Sequence, residues 1–159
     1  MEGNFFKTNP EKAASRVNIN AFMIGSLFVI FTLIWTLSPK QFSPLIISQL
    51  VLAMPLLFVS SLSYSKVGYR KEVKYWDYLG WFTNTIGNAF IFNVVGLLLG
   101  KEYLVVSYLY FGLIIVLLLI YSIINIVTHP HRIREKIFKY LFFVTIIFML
   151  GLLPFWINL

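Results

Sequence analysis

The chain has 159 residues, of which 59% are hydrophobic and 12% charged, with a formal net charge of +7 and no cysteine. A water-soluble domain of this length has too little interior to hide so much apolar surface. The lack of cysteine excludes disulfides, thiolate metal sites and thiol catalysis.

The first element begins with Thr8-Asn9-Pro10-Glu11. A capping amide, a proline in the first turn and an acid at the positive end of the helix dipole together mark a helix start. They predict a short surface helix leading into an apolar run at 19–37. That run is too long for a signal-peptide core, and LSPKQFSP follows it rather than a small-residue cleavage site. The second run, 44–64, holds Ser48 and Gln49 near one end and Pro55 in its middle. Proline removes its own N–H and crowds the carbonyl four residues earlier, so a kink that frees the Val51 carbonyl is expected.

The third run, 79–99, contains GWFTNTIGNAFIFN at 80–93, with three asparagines and two glycines. On a helix, every fourth residue forms a row: Gly80, Asn84, Asn88, Phe92, Gly96 and Gly100, with Gly87 beside it. Glycines in such a row let a neighbour approach closely, so Gly80, Gly87, Gly96 and Gly100 are predicted helix-packing positions. A bare amide in hydrocarbon costs several kcal/mol. Asn84 and Asn88 should therefore face protein or water. Asn93 projects about 180° from Asn84, at about 100° per residue, and should meet a different neighbour.

The fourth run, 103–127, carries Ser107 and Tyr110 at one end and Tyr121, Ser122 and Asn125 toward the other. The fifth, 137–157, is almost purely apolar and is expected to be peripheral.

Each run is about long enough for a helix to cross a ~30 Å hydrocarbon layer. The connections are short, so sequential helices should be antiparallel. Lys7, Lys12, Arg16, Lys66, Arg70, Lys71, Lys74, Arg132, Arg134, Lys136 and Lys139 lie on one side of the resulting topology, and only Lys40 and Lys101 on the other. This split predicts an all-α, five-helix transmembrane bundle in one membrane domain, with the amino terminus cytoplasmic and the carboxyl terminus outside. It also explains the net charge: the basic side faces anionic lipid headgroups, and no nucleic-acid partner is expected.

Three functions compete. The first is a pocket or conduit for a small neutral or lipid-like ligand, lined by Asn84, Asn88, Gln49 and Asn125. The absence of Asp, Glu, Arg and His from the middle of the runs argues against proton-coupled and most ion-coupled transport. The second is a non-catalytic accessory subunit that uses the Gly/Asn row to grip a second copy of the chain or another membrane protein. The third is an interfacial enzyme that uses Asp77 with His129 or His131, where a metal or an acid–base pair would act. Its simpler alternative is that Asp77 balances Lys74 or Arg70 at a helix start, while the histidines end the fourth helix. No phosphate loop, nucleophile elbow or metalloprotease helix is present, and no cofactor or bound metal is expected.

Overall fold

The computed structural model describes residues 9–37, 42–67, 69, 74–128 and 133–157, and these are helical almost throughout. The elements are α1 (Pro10–Leu37), α2 (Pro44–Val67), α3 (Lys74–Glu102), α4 (Leu104–Thr128), α5 (Ile133–Ile147), a π-helical segment (Phe148–Leu152) and α6 (Leu153–Ile157). Five helices are long and apolar enough to cross a membrane, the last of them being α5 with its continuation to Ile157. No strand occurs among the described residues.

The expected surface helix is not a separate element. α1 runs without a break from Pro10 to Leu37. Asn9 caps it, its Oδ1 accepting from the Lys12 N–H at 2.9 Å, and Pro10 occupies the first position, where a missing N–H costs nothing. α2 begins the same way, with Pro44 at its start and Ser43 accepting from the Ile46 N–H. It continues through Pro55.

The chain forms two compact units, Met1–Ile91 and Phe92–Leu159, so α3 contributes its first part to one and its second part to the other. In the first unit α1 buries Ala13, Asn20, Leu27 and Ile34, one residue every seven. α2 buries Ile46, Leu50, Ala53, Leu57, Ser60, Tyr64 and Val67, with steps alternating between four and three. Both patterns have the 3.5-residue repeat of left-handed knobs-into-holes packing. Arg16 meets Tyr64 and Asn20 meets Ser60, so α1 and α2 are antiparallel. Ser60 meets Gly80 while Leu57 lies over Gly87, so α2 and α3 are antiparallel too. A Cβ on Gly87 would lie 3.0 Å from the Leu57 side chain and 3.4 Å from the Ala53 carbonyl oxygen.

In the second unit Gly96 and Gly100 receive aromatic rings rather than a neighbouring backbone. The Phe111 ring of α4 fills the space over Gly96, and the Phe155 ring of α6 fills that over Gly100. Phe111 and Phe155 meet edge to face at 6.5 Å between centroids. The Ser107 hydroxyl donates to the Gly96 carbonyl at 2.7 Å. A single non-helical residue, Tyr103, separates α3 from α4.

The fifth span is more engaged than its composition suggests. It buries Ile147, Gly151 and Pro154, and the least buried helix is α4, which buries only Ser107 and Phe111. Pro154 has no N–H to offer the Leu150 carbonyl, and its ring crowds that carbonyl. The regular ladder therefore opens into the π-helical turn just before it. Gly151 sits in that turn, where an added Cβ would come within 2.5 Å of Asn93 Oδ1 and 2.8 Å of Phe111. Replacement Gly151→Ala is expected to lower stability by about 1–3 kcal/mol through overpacking. Gly112→Ala, at a position with nothing within 4 Å, should be neutral or slightly stabilising. Thermal unfolding of the detergent-solubilised chain checks the pair, and equal midpoints would contradict this packing.

Candidate functional site

The densest buried polar group lies where the start of α1, the end of α2 and the start of α3 meet, all within the first unit. Asn20 is fully buried and its Nδ2 donates to Ser60 Oγ at 3.0 Å. The Ser60 hydroxyl donates to the Gly80 carbonyl at 3.0 Å, with Asn84 Oδ1 at 3.5 Å as a weaker second acceptor. One hydroxyl thus joins three helices. The reach depends on Gly80, since a Cβ there would lie 3.1 Å from the Tyr64 ring and 3.2 Å from Ser63. Asn20 Oδ1 is buried and accepts no hydrogen bond from any described residue.

One turn toward the helix ends, Arg16 donates to the Tyr64 hydroxyl, and its guanidinium carbon lies 4.8 Å from the centre of that ring. Tyr64 packs with Ala13 and Val67, with Val17 at the edge. Asp77, in the first turn of α3, is fully buried and acts electrostatically on the Tyr64 hydroxyl together with Arg16. Lys74, expected as its surface counterion, is exposed. Arg70, the other expected counterion, lies outside the described residues.

Of the four expected pocket residues, Gln49, Asn84 and Asn88 belong to the first unit and Asn125 to the second. Asn84 is half-buried and joins the junction through Ser60. Asn88 is also half-buried, but its amide turns back and donates to the Asn84 carbonyl of its own helix at 2.8 Å. Gln49 is buried in α2, eleven residues before Ser60. Asn125 belongs to the second unit, where its Nδ2 donates to the Tyr121 carbonyl at 3.0 Å and its own carbonyl accepts from Lys136 Nζ. Asn93 meets α5, its Nδ2 donating to the Ile146 carbonyl at 3.4 Å.

Residues of the enzymatic alternative fare differently. His129 and His131 lie outside the described residues, and no group of three or more His, Cys, Asp or Glu placed to hold a metal occurs among the described ones. Glu135 of α5 is nearly buried and pairs with Lys139 one turn on.

Three members of the junction, Asn20, Arg16 and Tyr64, are not among the residues expected from the sequence to line a pocket. Asn20 stands one residue inside an otherwise apolar run. Arg16 counts in sequence as a topology charge, and Tyr64 as a span edge. The signal that unites them is the repeat Ala13, Asn20, Leu27 and Ile34, which puts an amide on a face otherwise apolar. Comparison with protein-family models, with curated proteins and with solved structures finds no match.

The geometry makes Ser60 the structural centre. Ser60→Ala removes the partner of a buried amide and is expected to cost about 1–3 kcal/mol. Thr83→Ala deletes a hydroxyl bonded only within its own helix and should cost well under half as much. A double-mutant cycle between Asn20→Ala and Ser60→Ala should return a coupling of about 0.6 kcal/mol and at most about 1.7 kcal/mol, the average and the maximum for hydrogen bonds between membrane helices. Additive unfolding energies would show that the two side chains do not act together.

Proposed function

We propose that the chain is an integral membrane protein with five spans, its amino terminus in the cytoplasm and its carboxyl terminus outside. We further propose that the junction of α1, α2 and α3 binds a small neutral or lipid-like ligand. The single observation that carries the binding reading is Asn20 Oδ1, a fully buried acceptor at the end of an otherwise connected hydrogen-bond chain. Burying such an atom unmet costs about 1–3 kcal/mol, a cost that a bound donor removes. The half-buried Asn84 and Asn88 leave one side of the junction partly open.

Membrane residence is supported by the outward side chains. Phe22 is 75% exposed and Val127 74%, and Val105, Leu109 and Leu113 also face out. Surfaces this apolar in water would aggregate. Orientation is supported by the basic residues. In the first unit Lys12, Arg16, Lys66 and Lys74 all occupy the junction end, which supports a junction at the cytoplasmic headgroup level. On this reading the site lies away from the bilayer middle, and Asn88, expected to line a pocket or conduit, donates through Nδ2 to the Asn84 carbonyl of its own helix.

A second reading, an accessory subunit held by another membrane helix, has its own support. α4 leaves most of its apolar surface uncovered, and nothing lies within 4 Å of the space a Gly112 side chain would occupy. On that reading Gly112→Leu breaks a complex.

The native chain has no cysteine, so single cysteines report without background. Asn84→Cys is expected to react with a membrane-impermeant maleimide in opened inside-facing vesicles and to be shielded in sealed cells. Lys12→Cys should behave in the same way, whereas Lys101→Cys should label from outside. Labelling of Lys12→Cys without any labelling of Asn84→Cys would leave the topology standing and remove the binding site, and the accessory reading would then take its place.

A further inference from the structure

Resting on the binding-site reading of the junction, we infer that its ligand is a lipid carrying a free hydroxyl at the level of its glycerol backbone, and that this hydroxyl donates to Asn20 Oδ1. The chemistry follows from the balance of donors and acceptors. The junction presents Asn20 Oδ1, the Gly80 carbonyl and Asn84 Oδ1 as acceptors. The Ser60 proton is shared between the last two, and Asn20 Nδ2 spends one hydrogen on Ser60. Asn20 Oδ1 alone of the three accepts nothing and is fully enclosed. The group that meets it must therefore bring a hydrogen, and one that is only an acceptor, such as an ester carbonyl or a phosphate oxygen, would leave that oxygen unmet.

Depth narrows the choice further. Asn20 is one helical turn inward of Arg16, about 6 Å at 1.5 Å per residue. Arg16, Lys12, Lys66 and Lys74 mark the level of the headgroups. One turn deeper lies the glycerol backbone. An ordinary diacyl phospholipid offers only ester oxygens at that depth. Mono- and diacylglycerols offer a hydroxyl there.

The test uses the purified full chain in nanodiscs of dioleoylphosphatidylcholine, with 1-monooleoylglycerol or methyl oleate added. The two probes share an acyl chain and an ester, and only the first has a hydroxyl. 1-Monooleoylglycerol should raise Tm by roughly 5 °C when present well above its Kd, and methyl oleate should leave Tm unchanged. The shift should vanish in Asn20→Leu. If that variant does not fold, Asn84→Ala, at a half-buried position, should weaken the response at least tenfold in the concentration required. Equal shifts from both probes, or a full shift in Asn84→Ala, overturn the inference. Absence of any shift while Asn84→Cys still reacts with maleimide also overturns it, but leaves a binding site for another donor. Failure of Asn84→Cys to react removes the site itself.

Discussion

The hydroxyl of Ser60 holds the first unit in register. It accepts from Asn20 on α1, donates to the Gly80 carbonyl on α3, and is fixed by its own place on α2. A polar atom turned inward loses water, so it is stabilised only by another inward-turned atom, as Asn20 Nδ2 and the Ser60 hydroxyl are. That condition sets the rotation of three helices about their axes at once. Gly80 makes it possible in two ways. Its carbonyl has a second lone pair for the serine beyond the one used inside the helix. Its missing side chain leaves room for Tyr64 and Ser63. Around this centre the apolar repeat of α1 and α2 supplies contact area, and Arg16 closes the end by lying on Tyr64.

The two units use glycine for different ends. Gly80 and Gly87 admit α2, and the Ala53 carbonyl comes near the second of them. Gly96, Gly100 and Gly151 form cradles for two phenylalanine rings. The latter arrangement gains dispersion contacts and edge-to-face ring geometry rather than a close backbone crossing. It also explains why α4 can be anchored by so few buried residues: Phe111 is fully enclosed, and Ser107 is bonded to the Gly96 carbonyl.

Much of the fold is legible in the sequence, and the failures have identifiable causes. Apolar runs of about twenty residues are long-range signals, and all five correspond to helices. Their ends shift because capping and interface residues extend helices past the apolar run. Asn9 starts α1 well before Ile19, and α3 begins at Lys74 with a buried acid in its first turn. The π-helical turn leaves only Pro154 and Gly151 as traces, and neither residue alone specifies it. At the site, the row of amides in α3 is visible, but the fate of each is not. A helical asparagine can bridge to a neighbour, as Asn84 does weakly, or bond to its own preceding turn, as Asn88 and Asn125 do. Sequence spacing is the same in both cases. Asn20 lies on a different helix, and only the burial of its face distinguishes it from the exposed Asn18 two residues before.

The contact between Asn93 and the turn holding Gly151 fixes an angle. Rotating α5 by one residue step, about 100°, would bring a leucine, either Leu150 or Leu152, to the place where no Cβ fits beside the amide oxygen. The amide would at the same time lose the Ile146 carbonyl. The glycine thus works as a keyway and the asparagine as its key. The final turns of the second unit are therefore keyed against rotation about their own axis.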